Sequence, residues 1–236
     1  MNLFQYVKFF IFDCLFPIEC LGCKKEGEWV CGKCTGRIPL ETQEQCFICQ
    51  QAAPGGRTCF ACQREFPLAR VMRFFNYDEP LVRRAIHTAK YNFVPEALRK
   101  ITTQALPHLP ALLESEDIDP RALIFMPVPL HPRRLRMRGF NQAELVGRAF
   151  ASACGAQFCA PLARTRFTLP QVDLDEEDRA ANLKRAFECI DRAMVAGKYC
   201  VLTDDVATTG STLKACGGVL KEAGAAQVWG LVLAKG

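Results

Sequence analysis

The chain has 236 residues, of which 50% are hydrophobic and 23% are charged, and its formal net charge is +5. This composition excludes a largely disordered protein, and the length suffices for one sizeable core with a small appended module. The modest positive charge is compatible with an anionic partner, such as a phosphate ester or a nucleic acid, but does not require one.

The first twenty residues, MNLFQYVKFFIFDCLFPIEC, are very apolar without having the features of an export signal. They lack a charged start and a small-residue cleavage site, Asp13 interrupts them, and they are too short to span a bilayer comfortably. We therefore expect a helix docked onto the protein body. No other stretch has the composition of a transmembrane segment, so we expect no integral membrane segment.

Eight of the 14 cysteines form four CxxC pairs within the first 62 residues. Their spacings are C-x2-C-x7-C-x2-C and C-x2-C-x9-C-x2-C, formed by Cys20, Cys23, Cys31 and Cys34 and by Cys46, Cys49, Cys59 and Cys62. A two-residue insert lets both thiolates of a tight turn face one metal, and Zn²⁺ takes four such ligands tetrahedrally.

Because no histidine lies nearby, this array predicts closed, structural zinc sites rather than redox-active or unbound thiols. Metal-binding cysteines, as opposed to a disulfide framework, favour a reducing, cytoplasmic location. The spacing leaves open whether the pairs bind metal in chain order or interleaved, and whether both sites hold one.

Downstream of the cysteines, the pattern changes to longer helices and then to alternating strands and helices. Apolar spacing predicts helices over Leu81–Tyr91 and Glu96–Glu114, the second interrupted near Pro107 and Pro110. Beyond Ala122, the apolar runs ALIFMPV, KYCVLTDD and QVWGLVLAK alternate with the helical stretches NQAELVGRAFASACG and STLKACGGVLKEAG. This alternation predicts an α/β fold with a parallel sheet, in which ligands bind beyond the carboxyl ends of the strands.

The stretch TDDVATTGST falls at such a carboxyl end. A loop of small residues before a helix directs backbone N–H groups and the helix dipole at an anion, and Gly210 permits unusual backbone angles. Two adjacent carboxylates would repel a phosphate unless they accept from something else, and vicinal sugar hydroxyls are suitable donors. The turn therefore indicates a ribose 5-phosphate site; it lacks the GxxxxGK[ST] pattern of a Walker loop, and a helix cap alone needs only one such residue.

VLTDDVATTGST resembles the motif by which type I phosphoribosyltransferases bind phosphoribosyl pyrophosphate (PRPP). PVPLHPRRLRMRGFNQAELVGRAFA, residues 127–151, resembles the signature of the ComF/GntX family. The cysteine array, the IHTAKY stretch, the ART–Q–R–N–F pattern of residues 163–187 and the final strand are also similar, so the resemblance spans nearly the whole chain. It implies a zinc-ribbon domain over residues 1–66, with a double ribbon, and a type I phosphoribosyltransferase fold over residues 71–236.

The resemblance also implies roles for particular residues. Asp204 and Asp205 would hold the ribose hydroxyls, and the 5-phosphate would bind the segment Ala207, Thr208, Thr209, Gly210, Ser211 and Thr212. Arg133, Arg134, Arg136 and Arg138, expected in a loop after the ALIFMPV strand, would face the pyrophosphate, unless some of them form only a solvated basic face. A mobile hood loop would carry Arg164, Gln171, Arg179 and Asn182, and Mg²⁺ would accompany PRPP, held mostly by the ligand's oxygens.

Two functions are compatible with this resemblance. One is a PRPP-binding protein of natural competence and DNA utilisation that contacts single-stranded DNA and competence proteins. The alternative is an active phosphoribosyltransferase (a glycosyltransferase) that moves ribose 5-phosphate from PRPP to an unknown acceptor and releases pyrophosphate. No catalytic residue can be named from the sequence, because no Ser/His/Asp or Cys/His arrangement is present and His87 and His131 have no acidic partner in their motifs.

Overall fold

The computed structural model describes residues 17–41, 44–114, 118–166 and 186–236. The predicted N-terminal helix lies almost entirely outside these residues, as do Gln171, Arg179 and Asn182 of the predicted hood loop. Among the described residues, no helix has both the length and the apolar character needed to cross a bilayer.

The Cys-rich segment has little regular structure, because tight turns around the cysteines replace longer elements. It contains two one-turn helices, α1 (Gly32–Thr35) and α2 (Phe60–Gln63), and a 3-10 turn at Pro54–Gly56. Cys20, Val30 and Cys34 are buried in the same hydrophobic cluster as the helices that follow, whereas Phe47 is buried in a second cluster. The division at residues 66–71 remains a prediction.

A five-stranded sheet in the order β1-β7-β6-β2-β3 forms the centre of the molecule, and every pairing in it is parallel. The strands are β1 (Arg70–Asn76), β2 (Leu123–Pro127), β3 (Gln157–Phe158), β6 (Tyr199–Ala207) and β7 (Gln227–Lys235). A separate antiparallel pair joins β4 (Leu162–Arg164) to β5 (Phe187–Cys189). The predicted α/β fold with a parallel sheet is confirmed.

Helices cover both faces of the sheet, as the continuous apolar strands require. The helices are α3 (Pro80–Tyr91), α4 (Pro95–Ala105), α5 (Leu109–Glu114), α6 (Pro132–Arg138), α7 (Gln142–Cys154) and α8 (Ser211–Glu222), with 3-10 turns at Leu106–His108 and Pro120–Ala122. Side chains of α3, α4 and α7 pack in one hydrophobic cluster with Phe125 and Val201, while α8 packs in a second cluster with Met126 and Leu202. Successive residues from Cys200 to Leu202 of β6 therefore face alternate helical layers.

The ends of these elements follow from local chemistry. Proline occupies the first turn of α3, α4 and α6, where its missing N–H costs nothing. The Asn141 side chain caps α7 by accepting from the N–H of Ala143, and Gly155 ends the helix in the left-handed conformation. The interruption predicted near Pro107 is found as the 3-10 turn between α4 and α5.

Three elements differ from the sequence prediction. β1 is a strand that the apolar pattern did not indicate. The expected arginine-rich loop after β2 is the two-turn helix α6, which begins at Pro132 and ends before Gly139. β6 also continues two residues beyond its predicted end at Asp205, to Ala207, so Asp204 and Asp205 lie within the strand rather than at its end.

Candidate functional site

The candidate site lies where the direction of chain progression across the sheet reverses. From β2 the chain proceeds through α7 to β3 on one side, and from β6 it proceeds through α8 to β7 on the other. Open parallel sheets bind ligands at such a switch point, outside the carboxyl ends of the strands. Thr203 is the last residue of β6 paired with β2, opposite Pro127, so the following residues of β6 extend beyond β2 and pair only with β7.

Asp205 is buried and forms an ion pair with Lys90. The distance from Lys90 Nζ to Asp205 Oδ2 is 2.8 Å, and the two side chains are 22% and 6% exposed. Asp205 Oδ1 also accepts from the N–H of Val206. Although burial opposes it, the Asp205 carboxylate raises the pKa of Lys90 above its usual value, so the lysine is charged at neutral pH.

Asp204 faces the opposite side of β6 from Asp205. Burial, together with the adjacent Asp205 carboxylate, raises the pKa of Asp204 to about 8, and Lys90 only partly offsets this. Asp204 Oδ1 accepts from the backbone N–H of Asp205. The two carboxylates thus differ in environment: Asp205 has a close cation, whereas burial and the adjacent carboxylate disfavour the charged form of Asp204.

Both aspartates line a cavity of about 560 Å³ together with four basic side chains. These are Lys90, Arg134, Arg138 and Arg164, so the described charged lining residues comprise four cations and two carboxylates. Burial and then Arg138 lower the pKa of Arg134, and burial and then Arg134 lower that of Arg164. Mutual repulsion among these cations means that an anionic ligand would be stabilised here.

The four arginines predicted to face a pyrophosphate divide into two pairs. Arg134 and Arg138, one helical turn apart on α6, line the cavity. Arg133 and Arg136 are exposed and do not line it. Helical geometry makes this division, since residues spaced three or four apart share a face.

The predicted phosphate loop runs from the end of β6 into α8. Gly210 has a φ of +76° and is the N-cap of α8, while Thr208 and Thr209 are exposed. The first N–H groups of a helix have no intrahelical acceptor, and the dipole of the 12-residue α8 favours an anion at this end. Thr212 lines the same cavity as the aspartates, so the helix start and the basic groups face one volume.

The two histidines that the sequence singled out have structural contacts. His131 Nδ1 accepts from the N–H of Arg133 at 3.2 Å, which makes His131 the N-cap of α6. Desolvation and the nearby arginines, first Arg164, lower its pKa. His87 is exposed on α3 and packs against Tyr91, with ring centroids 4.5 Å apart.

The eight paired cysteines form two four-thiol groups in chain order, which is the arrangement that spacing alone left undecided. In each group all the sulfur atoms lie within 4.8 Å of one another. Sγ–Sγ distances of 3.7 Å for Cys23–Cys31 and 3.5 Å for Cys49–Cys59 are close to the edge of about 3.8 Å expected for a tetrahedron with Zn–S bonds of ~2.3 Å.

Backbone donors also prepare one thiol of each group for metal binding. Although burial opposes ionisation, N–H groups of Cys31, Cys23 and Gly22 lower the pKa of Cys20 to about 6. Donors that include Cys49 and Cys59 act in the same way on Cys46, whose pKa is also about 6. Because the four sulfur atoms of each group also lie close together, both groups could hold structural zinc.

Exposed aromatic and apolar side chains surround the mouth of the cavity. Tyr91, Phe93 and Met137 are all exposed and all line it, and the Arg138 guanidinium lies 5.9 Å from the Tyr91 ring centroid. Near the cysteines, by contrast, Phe47 is buried and Trp29 packs against the core, whereas Phe60 is well exposed.

Sequence reasoning assigned no role to Lys90 or to the exposed rings beside it. A signal for Lys90 was available: it follows Val82 and Ile86 at four-residue spacing on the buried stripe of α3. A cation on such a stripe needs a buried anion as its partner. The identity of that anion, Asp205, becomes evident only from the tertiary structure.

Part of this chain is similar to proteins that are named for DNA utilisation and competence. It is 40% identical over 105 residues to the DNA utilization protein YhgH of Escherichia coli strain K12, covering 43% of this chain and 45% of that protein. It is 36% identical over 119 residues to Competence protein F of Haemophilus influenzae, covering 49% of this chain and 51% of that protein. The predicted relationship to competence proteins is thereby confirmed for the matched segments, which span about half of each relative.

No family model matches the chain. Among solved structures, phosphoribosylpyrophosphate synthetase from Mycobacterium smegmatis is similar at 19% identity and a TM-score of 0.34, over 53% of this chain and 33% of that one. The similarity is weak, and the fold is defined by the strand order and helical layers described above.

Proposed function

We propose that the cavity beyond the carboxyl ends of β2 and β6 binds PRPP and that the protein acts in competence-linked DNA utilisation. The observation that carries the proposal is the convergence of Asp204, Asp205 and the start of α8 with four basic side chains on one cavity at the switch point of the sheet. A polyanionic sugar phosphate requires both halves of this arrangement, namely cations for phosphate oxygens and carboxylates for hydroxyl groups.

Each part of PRPP has a counterpart in the cavity. The 5-phosphate would accept from N–H groups and hydroxyls between Ala207 and Thr212 at the start of α8. The ribose hydroxyls would donate to Asp204 and Asp205. The pyrophosphate would lie against Arg134 and Arg138, whose guanidinium groups suit paired phosphate oxygens.

Mg²⁺ would enter with PRPP and neutralise part of its charge. Carboxylate oxygens are ligands that this ion prefers, and Asp204 and Asp205 are the acidic side chains among the described cavity residues. Lys90 would hold Asp205 in position through their ion pair.

Single-stranded DNA is the proposed macromolecular partner, and its contacts would lie at the rim of the cavity. Exposed rings at Tyr91 and Phe93 can stack on bases, while Arg133 and Arg136 on the outer side of α6 can contact phosphates. The names of the curated relatives, which refer to DNA utilisation and competence, agree with this proposal.

Calorimetric titrations with PRPP, pyrophosphate and ribose 5-phosphate in the presence of Mg²⁺ test the proposal. Arg134→Gln should weaken PRPP and pyrophosphate binding by about tenfold or more and leave ribose 5-phosphate nearly unchanged. Arg133→Gln, on the exposed side of the same helix, is the matched control and should change none of them. Equal effects of the two substitutions on PRPP would mean that the ligand does not occupy this cavity.

The alternative, turnover of PRPP, is separated by a second measurement on the same samples. Release of pyrophosphate over time, with and without single-stranded DNA or a nucleobase as acceptor, would show phosphoribosyl transfer. Saturable binding without release would identify a PRPP-responsive binding protein.

A further inference from the structure

The second four-cysteine group lies directly against the predicted phosphate loop. A Cβ atom added to Gly210 would lie 3.0 Å from Phe47 Cε1, 3.3 Å from Phe66 Cε2 and 3.5 Å from Ile48 Cδ1. Phe47 and Ile48 are the two residues between Cys46 and Cys49. The turn that would hold a metal is thus also the surface on which the loop rests.

Phe47 is held firmly in this position. Its side chain is 2% exposed, its carbonyl accepts from Lys235 Nζ at 3.1 Å, and the Lys235 ammonium lies 5.0 Å from the ring centroid. The two residues before Phe47 are fixed as well, because Arg73 donates to the carbonyl of Gln45 and the N–H of Cys46 donates to the carbonyl of Gln51. A shift of the Cys46–Cys49 turn would therefore also move Gly210.

The position of Gly210 decides where the first N–H groups of α8 point. Its φ of +76° is strained for any other residue, and a Cβ atom at this position would contact Phe47 tightly. A displacement of a few tenths of an ångström at this N-cap would misalign the N–H groups that face an anion.

The first four-cysteine group has different neighbours. A Cβ at Gly22, within its first turn, would meet Cys34 Sγ and Leu81 Cδ2. Leu81 lies at the start of α3, at the opposite end of the helix from Lys90. Glu28 of this module pairs with Lys100 on α4. None of these contacts reaches the Gly210 turn.

We propose that the second four-cysteine group, through Phe47, positions the Gly210 loop for phosphate binding, whereas the first group does not. Metal loss or oxidation at the second group would then lower the affinity for the phosphorylated ligand while the fold persists. The predicted loss of ligand affinity rests on the proposed function, but the coupling between the Cys46–Cys49 turn and the Gly210 loop can be measured without any ligand.

The test compares two matched substitutions, Cys49→Ser and Cys23→Ser, each of which removes the exposed ligand of one group. Zinc content should fall from two ions to one per chain in both variants. Hydrogen exchange of the amides at residues 208–213, measured without ligand, should accelerate by about tenfold or more in Cys49→Ser and remain unchanged in Cys23→Ser. PRPP affinity should fall only in Cys49→Ser.

Two further variants keep the inference testable if Cys49→Ser does not fold. Phe47→Ala retains all eight thiols and should accelerate the same amides with both zinc ions bound, and Phe47→Leu should restore much of the protection. Equal exchange of the loop in Phe47→Ala, Cys23→Ser and the wild type would overturn the inference. If the exchange of residues 208–213 changes in the variants as expected but the wild type does not bind PRPP, the coupling between turn and loop is upheld and the proposed function is refuted.

Discussion

The ion pair between Lys90 and Asp205 gives the most informative prediction of stability, because the chain offers an exposed pair of the same length for comparison. Lys90 Nζ and Asp205 Oδ2 are 2.8 Å apart with side chains 22% and 6% exposed. Lys100 Nζ and Glu28 Oε2 are 2.7 Å apart with side chains 50% and 47% exposed. The two ion pairs therefore have nearly the same N–O distance and differ in the burial of their side chains.

Substituting Lys90→Met leaves a buried carboxylate without its cation. Loss of one partner of a buried pair typically costs 3–5 kcal/mol, and the partial exposure of Lys90 places the expected loss at the lower end, about 3 kcal/mol. Lys100→Met should have little measurable effect, because water replaces the lost cation around Glu28.

Urea unfolding of the zinc-loaded protein measures both losses. With a slope of about 2–3 kcal/mol/M, Lys90→Met should lower the unfolding midpoint by about 1 M. Adding Asp205→Asn to Lys90→Met should recover most of the loss, since the isolated charge is then removed. Equal midpoints for Lys90→Met and Lys100→Met would refute the argument from burial.

Three other outcomes follow from the same structure. In urea unfolding, Gly147→Ala should lower the free energy of unfolding by about 2 kcal/mol, because its Cβ would lie 2.6 Å from Thr203 Oγ1. Gly218→Ala should raise it by about 0.5–1 kcal/mol, because a Cβ there meets nothing within 4 Å. The opposite order would contradict the packing of α7 on β6. PRPP affinity should rise with pH up to about 8 and then level off, because the pKa of unliganded Asp204 is about 8 and its ionised form accepts from the sugar hydroxyl. Calorimetry in two buffers of different ionisation enthalpy should detect the release of a proton on binding. An affinity that does not change with pH would mean that Asp204 does not contact the ligand. Removal of zinc with a strong chelator should lower the midpoint temperature of thermal unfolding, and a protease should then cleave first within residues 17–66. An unchanged cleavage pattern would argue against metal-dependent folding of these residues.

The sequence predicted the elements whose apolar residues make continuous or helical patterns. β2, β6, β7, α3, α7 and α8 all have such patterns, because each packs a recognisable face against the sheet. β1 lacks one, since RVMRFFN contains Arg70 and Arg73, yet both arginines are buried. Arg70 donates to the carbonyl of Leu112 and lies over the Trp229 ring, and these partners are distant in the sequence.

In the candidate site, too, the sequence indicates local motifs but not the contacts that tertiary packing makes. Asp204, Asp205 and the small-residue turn form a local motif, so the sequence alone could indicate them. The partner of Lys90 and the contact between Phe47 and Gly210 depend on how distant elements pack. The helix α6 was missed because PRRLRMR has no apolar stripe, and its helical form decides which arginines face the cavity.

The dissociation constant of PRPP in the presence of Mg²⁺ tests the central claim most directly. It should be measured by calorimetry for the zinc-loaded wild type and for Asp204→Ala/Asp205→Ala, with Asp119→Ala at an exposed position as the control. The account predicts saturable one-to-one binding by the wild type and the control, and none by the double variant. Equal binding by all three proteins, or none by a well-folded wild type, would contradict the claim that this cavity is a PRPP site.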